Sequence, residues 1–241
     1  MSEIITLITG ANKGMGFELA LELGQACQHV LVGARNEEAG SEAVDKLRAK
    51  NIKADLVLID VANAESVATA QHQIKEQFGY LNILINNAGI ALDKYVKPSK
   101  ISLDAVRGDF EVNFFGTMSV TQAMLPLLHN ANFGKVINIS SGVGSLTLAS
   151  DPTTSVYQHS AVGYQASKTA LNMFTVDLAN ELKDTNVTVN AVNPGWVNTP
   201  SAVGGGKLTV QQGVARTVEI ATNPTNNLNG TFSDINGILP W

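Results

Sequence analysis

The sequence predicts an α/β fold: a doubly wound parallel sheet with helices on both faces. Three observations carry this. Short, β-branched, mostly apolar runs occur at residues 4–8, 30–32, 54–59 and 81–85, and stretches with apolar helical spacing separate them. Right-handed crossovers between parallel strands then place helices on both sides of the sheet. No linker rich in Pro, Gly or Ser divides the 241 residues, so one domain spanning 1–241 is expected.

The elements follow in order. Residues 4–8, IITLI, read as a strand buried on both faces; a turn with Gly10, Gly14 and Gly16 comes next, then Phe17, Leu19, Ala20, Leu21 and Leu23 at helical spacing. A strand at 30–32 precedes a charged-faced helix over 37–50, with Ala39, Ala43, Val44 and Leu47 turned inward. Strand 54–59, helix 64–78 and strand 81–85 complete the first half. The second half reads as one long helix over 104–128, a strand at 136–139, a helix over 163–182 and a strand at 187–192. A short helix over 211–221, turns at Asn223-Pro224, Asn226-Asn227 and Gly230, and a last short strand at 231–233 close the pattern. Between Ser140 and Gly163 the connection exceeds the usual two to six residues, which marks it as a functional rim.

Composition removes several classes of function. With 16 Lys+Arg against 21 Asp+Glu, the net charge of −5 argues against a nucleic-acid binder, although a local basic pocket for one small anion is permitted. Cys27 is the only cysteine, so neither an intrachain disulfide nor an all-cysteine metal cluster can form, as suits a reducing compartment. No apolar run reaches the roughly 18 to 20 residues of a membrane span. The first residues, MSEIITLITGANKG, lack the basic flank of a secretory signal. A cytoplasmic protein binding neither nucleic acid nor membrane is expected. Metal catalysis is also disfavoured, because HExxH is absent and His29, His72 and His129 lack ligand spacing. Residues 138–144, NISSGVG, do not form the GxSxG of a serine hydrolase, and His159 has no clear acidic partner.

The glycine turn is the first candidate site. From Gly10 through Asn12, Lys13, Gly14 and Met15 to Gly16, it joins a buried strand to a helix, so backbone N–H groups can meet an anion at the positive helix end. Its spacing is neither GxGxxG nor GxxxxGK[ST]; a tight structural turn is the competing reading. After the second strand, where a carboxylate commonly accepts ribose hydroxyls, the chain has Gly33-Ala34-Arg35. Arg35 and Lys13 can pair with a 2′-phosphate, which favours the phosphorylated dinucleotide NADP(H). Asp60, after the third strand, can accept an adenine amino proton or cap the following helix, and Asn86-Asn87-Ala88-Gly89 lets a flat ligand approach the backbone.

Tyr164 and Lys168 form the second. Four apart on a predicted helix, they share a face, and an ammonium beside a phenol favours the phenolate and brings its proton-transfer range toward neutrality. Ser140 and Ser141 offer a hydroxyl nearby if the long connection folds back.

Taken in order, these motifs resemble those of the short-chain dehydrogenase/reductase family, in particular its NADP-dependent carbonyl reductase branch. The resemblance rests on Thr9-Gly10-x-x-x-Gly14-x-Gly16, Asp60, Asn86-Asn87-Ala88-Gly89, Asn113, Ser140-Ser141, Tyr164-x-x-x-Lys168 and Pro194-Gly195, and covers essentially the whole chain. Residues 112–117, VNFFGT, and the ending Gly237-x-x-Pro240-Trp241 look like the carbonyl-reducing branch. It implies a Rossmann-type fold and a catalytic set: Ser141 orients the carbonyl, Tyr164 donates the proton, Lys168 lowers its pKa and binds ribose, and Asn113 supports a proton-relay water. It also implies adenine contacts at Asp60 and Val61, an adenosine-side turn at Asn87, Ala88 and Gly89, and a nicotinamide-side loop through Pro194, Gly195, Val197 and Thr199.

The implied activity is NADPH-dependent reduction of ketones or aldehydes to alcohols. A 3-oxoacyl or steroid ketone reductase is the alternative within the family, and a noncatalytic NADPH-binding regulator the alternative outside it. The interval between Ser141 and Tyr164 is longer than in many short members and shorter than in monomeric carbonyl reductases with an inserted helical segment. A homo-oligomer is therefore expected, a tetramer ahead of a dimer. Substrate-side loops are expected near 142–162 and 196–210, bordering opposite parts of the carbonyl pocket, with Leu146, Leu148, Val156 and Trp196 as an apolar wall and residues 200–210, which include Gly204-Gly205-Gly206, as a mobile cover.

Overall fold

Alternation within each short strand decides which helix covers which face. In the computed structural model, which describes residues 3–93, 96–159, 161–199, 205–223 and 228–241, β1 (Ile5–Thr9) turns Ile5 and Leu7 to one face and Ile8 to the other. The chain continues through α1 (Gly14–Gln25), β2 (His29–Ala34), α2 (Glu37–Arg48), β3 (Ala54–Leu58), α3 (Ala64–Phe78) and β4 (Ile83–Asn86). A helical rod follows, made of α4 (Leu103–Phe110), a π-helical stretch (Glu111–Gly116) and α5 (Thr117–Asn130). Then come β5 (Gly134–Ile139), a 3₁₀ turn (Gly142–Gly144), α6 (Leu146–Ser150), α7 (Val162–Glu181), β6 (Val187–Val192), α8 (Val210–Thr222), β7 (Thr231–Asp234) and β8 (Gly237–Ile238).

The sheet has eight strands in the order β3-β2-β1-β4-β5-β6-β7-β8, parallel except for the final β7–β8 pair. This is the single-domain, doubly wound Rossmann-type fold expected. One core layer joins Leu31, Leu84 and Val136 of the sheet to Val67 and Ile74 of α3, Met124 and Leu128 of α5 and Leu178 of α7. The other joins Val30, Val32, Ile83, Ile85 and Ile137 to Leu19 and Leu23 of α1, Val44 and Leu47 of α2 and Val214 and Ile220 of α8. Burying each such aliphatic side chain contributes roughly 1.5–3 kcal/mol before entropy is counted.

Local signals set the helix ends. Asn63 accepts the Ser66 N–H to start α3, and Gly79, with φ of 76°, ends it in the left-handed conformation. Thr209 and Gln212 form a reciprocal capping box on α8. Two elements differ from the sequence reading. The single helix expected over 104–128 is interrupted by the π stretch around Asn113, whose side chain is drawn toward Ile90 rather than packed like its neighbours. The connection after β5 contains the 3₁₀ turn and α6, and Thr147 of α6 donates from both N–H and hydroxyl to the Trp241 carbonyl. The turns expected at Pro224 and Asn226-Asn227 lie outside the described residues.

Gly16 sits where β1, α1 and the turn after β4 meet. A Cβ there would lie 2.4 Å from the Gly10 carbonyl oxygen and 2.6 Å from Asn87 Nδ2. Gly16→Ala is expected to destabilise the protein by about 1–3 kcal/mol through overpacking, read as a lower denaturant midpoint at unchanged slope; a parental midpoint would contradict this.

Candidate active site

Seven parallel strands end on one edge, and residues that follow β1 to β6 line a cavity of about 740 Å³. Its position at the split between β1 and β4, where the chain returns from the β3 edge, is where a doubly wound sheet opens a crevice. The β1 turn brings Gly10, Asn12, Lys13, Gly14, Met15 and Gly16, and the end of β2 brings Arg35. Asp60 and Val61 come after β3; Asn87, Ala88 and Gly89 after β4; Pro194, Gly195, Val197 and Thr199 after β6. These residues of the sequence reading therefore face one cavity, whereas Asn86 of the same turn is buried in β4 and bonded to Thr121 and Asn138.

The near half has the chemistry of an anion cradle. Lys13 is the N-cap of α1 in extended backbone, its side chain does not cap, and no acidic residue occupies the first turn. The first N–H groups of α1 are thus not taken by a capping side chain. Arg35 is exposed at the cavity rim. Asp60 is half-buried and its Oδ1 accepts the Ala62 N–H at 3.1 Å, whereas Asn63 caps α3. The helix-cap alternative for Asp60 is therefore filled by Asn63.

The far half holds the titratable groups. Ser140 and Ser141 differ sharply. Ser140 is buried and donates to Asn172 Oδ1, while Ser141 is half-buried and its Oγ accepts the Val143 N–H at a long 3.4 Å. Tyr164 and Lys168 lie on the first two turns of α7 and both line the cavity, the ammonium 5.7 Å from the phenol ring centre. Lys168 is only 4% exposed, and its Nζ donates to the Ile139 carbonyl at 2.8 Å. Burial lowers its pKa from 10.5 to about 8.

Asn113 stands behind the cavity wall and is fully buried. Its Oδ1 accepts the Ile90 N–H at 2.9 Å, and its Nδ2 donates to the Ile90 carbonyl at 2.9 Å and to Ser167 Oγ at 3.0 Å.

The substrate side departs from expectation. Val143, Val156 and Trp196 line the cavity, but Leu146 and Leu148 do not: their segment is α6, turned toward Pro240 and Trp241 by hydrogen bonds from Ser145 and Thr147. Nor do the two loops stand apart. The His159 and Trp196 rings meet edge to face with centroids 6.0 Å apart, joining the loop before α7 to the loop after β6. His159, Asp93 and Lys207, which the sequence reading left aside, also line the cavity. Residues 200–204 of the expected cover lie outside the described residues. Among the described residues, no group of His, Cys, Asp or Glu could hold a metal ion, and no helix is long and apolar enough to cross a membrane.

Comparison with known proteins identifies the family. Residues 4–204 match the short chain dehydrogenase family model. The short-chain dehydrogenase anuI of Penicillium roqueforti is 34% identical, the match covering 90% of this chain and 88% of that protein. The structure of salutaridine reductase from Papaver somniferum superposes with a TM-score of 0.83 at 27% identity, over 95% of this chain and 99% of that one. NADPH-bound carbonyl reductase from chicken fatty liver gives 0.85 at 26% identity over the whole of both chains. The chain belongs to the short-chain dehydrogenase family.

The buried lysine has a measurable consequence. Its folded pKa lies below its ordinary value, so between pH 8 and 10.5 the unfolded chain holds a proton that the native chain lacks, and stability rises with pH across that window. Lys168→Met in the unliganded protein is therefore expected to be more stable than the parent at pH 7, by on the order of 3 kcal/mol at most, with the difference shrinking toward high pH. Denaturant titrations at pH 7, 8.5 and 9.5 check this; a difference that does not vary with pH overturns it.

Proposed function

We propose that the protein reduces ketones or aldehydes to alcohols with NADPH, Tyr164 serving as proton donor. The observation that carries this reading is the convergence of Ser141, Tyr164 and Lys168 on the cavity whose opposite half presents the uncapped α1 terminus and Arg35. The cofactor is NADP(H). The uncapped turn fits its diphosphate and the Arg35 guanidinium its 2′-phosphate, and a salutaridine reductase and NADPH carbonyl reductases stand among the relatives.

Bound NADPH supplies the hydride that reaches the carbonyl carbon. Ser141 Oγ donates a hydrogen bond to the carbonyl oxygen and orients it. Tyr164 transfers its phenolic proton to that oxygen as negative charge develops there, leaving a phenolate that the Lys168 ammonium stabilises. One Lys168 donor is engaged by Ile139, which leaves two that would serve the cofactor ribose and the Tyr164 phenol with NADPH bound. Asn113 supports the water chain that reprotonates Tyr164. Since its side chain is committed to Ile90 and Ser167, that support comes from its main chain in the π stretch. The chain works as one NADP-binding and catalytic domain, with substrate-side loops at 142–162 and 196–210, in the cytoplasm. It assembles as a homo-oligomer, a tetramer rather than a dimer, for which exposed Phe115 and Met173 supply apolar surface.

A panel of aldehydes, activated ketones and 3-oxoacyl esters, assayed with NADPH and with NADH for alcohol formed, tests the activity. No alcohol from any member overturns it. Tyr164→Phe is expected to abolish reduction while leaving NADPH binding within a few-fold; a fully active variant removes Tyr164 from its role. NADPH is expected to be preferred, and Arg35→Ala to weaken its use roughly 10- to 100-fold with little effect on NADH. Equal efficiency of the parent with both cofactors refutes the phosphate assignment. Light scattering on the purified protein should give the mass of a tetramer, and a monomer contradicts the assembly.

A further inference from the structure

Helix α7 carries Tyr164 and begins without a cap of its own. Its N-cap is Ala161, which has no side-chain acceptor, and the first turn contains no acidic residue. Two of the amides that a helix start leaves over, those of Gly163 and Tyr164, donate instead to one carboxylate oxygen, Asp93 Oδ2, at 3.0 and 3.3 Å. Asp93 is 70 residues away, in the segment that follows β4, and is buried while lining the cavity. Gln165 supplies a second fastening, its Oε1 accepting the Ala161 N–H at 3.0 Å.

The segment bearing Asp93 is itself held. Asn113 clamps both sides of the Ile90 peptide, and Asp109 Oδ1 on α4 accepts the Leu92 N–H at 2.8 Å. The α7 start presses on the same helix: a Cβ at Gly163 would lie 2.8 Å from Asp109 Oδ2 and 3.2 Å from Val106 Cα. Burial, with a smaller contribution from neighbouring Asp93, holds the Asp109 carboxyl above the ordinary carboxylate range, against the lowering effect of the Leu92 amide. The α4 rod, the segment 90–93 and the first turn of α7 thus form one hydrogen-bonded unit.

We infer that Asp93 is the positioning residue for Tyr164, capping α7 from the segment after β4 and fixing where its first turn enters the cavity. A carboxylate at a helix N-terminus satisfies the leftover amides and opposes the positive helix end. Tyr164 is one of the two residues so held, whereas Lys168, a turn deeper, has its own anchor at Ile139. Loss of the cap therefore displaces the donor more than the ribose-binding lysine. This inference rests on Tyr164 being the proton donor.

The test uses Asp93→Ala, Asp93→Asn, Asp93→Glu and Tyr164→Phe, with NADPH and 4-nitrobenzaldehyde as the probe and alcohol formation as the readout. Asp93→Ala is expected to lower kcat roughly tenfold or more while KM for NADPH stays within about twofold. Asp93→Asn keeps an acceptor oxygen and is expected to return kcat to within about threefold of the parent. A folded Asp93→Ala protein with parental kcat overturns the inference, as does an Asp93→Asn protein no better than Asp93→Ala. Should Asp93→Ala fail to fold, Asp93→Glu decides: its extra methylene misplaces the acceptor and is expected to lower kcat about tenfold at unchanged NADPH KM, and parental kcat overturns the inference. Tyr164→Phe separates the two readings. If it is active, the donor assignment has failed; if it is inactive while Asp93→Ala is unimpaired, only the capping inference has.

Discussion

The stitch between Thr9 and Asn87 holds the two halves of the sheet in the relation on which the site depends. Thr9 Oγ1 accepts the N–H groups of Asn87 and Ala88 at 3.0 Å each, and Asn87 Nδ2 returns bonds to the Thr9 and Gly10 carbonyls at 2.9 and 3.2 Å. These four bonds tie the exit of β1 to the exit of β4 at the split where the connection reverses. They extend the β1–β4 pairing past the end of the ladder, into the glycine turn and the turn after β4. With them the two turns form one wall, and α1 starts at a height set by the sheet.

Behind that wall the core is polar where it must carry load and apolar elsewhere. Asn86 Nδ2 donates to Thr121 Oγ1 at 2.9 Å and to Asn138 Oδ1 at 2.8 Å, and Asn138 Nδ2 donates to Thr175 Oγ1 at 2.9 Å. This buried chain links β4 and β5 to α5 and α7. These donors are all paired, while Asn86 Oδ1 is buried without a hydrogen-bond partner; the paired donors favour one arrangement, because a slip would leave them buried and unpaired as well. Lys168 projects from the α7 so fixed and is buried at the cavity wall, its ammonium donating to the Ile139 carbonyl and lying 5.7 Å from the Tyr164 ring centre. The desolvation that lowers its pKa disfavours the charged form and so opposes stability wherever the folded chain must hold that proton.

The substrate face is built differently. The loops carrying Ser155, Val156 and His159 on one side and Trp196 on the other are joined by ring contact and local turns rather than by sheet hydrogen bonds. Such loops vary without disturbing the scaffold that aligns the reacting groups, so the fold defines the reaction more tightly than it defines the substrate.

The sequence by itself determined the strand–helix alternation and the parallel sheet, because each is a local signal, whereas the residues around the cavity were legible partly by spacing, partly only through the family resemblance, and for Asp93 not at all. Periodicity marks strands and helices, a glycine turn marks a strand exit, and Tyr164 and Lys168 share a helix face by spacing alone. The tertiary structure gave the physical difference between Ser140 and Ser141: both border the cavity, but the Ser140 hydroxyl is buried and spent on Asn172 Oδ1, whereas Ser141 is half-buried. It also turned Leu146 and Leu148 away from the pocket, through hydrogen bonds to a segment more than ninety residues later. The π stretch at Asn113 and the Asp93 cap on α7 were equally illegible, because a bond between distant segments leaves no periodic trace in either. What the chain encodes locally is which elements form; which side chain reaches which partner is settled only when those elements pack.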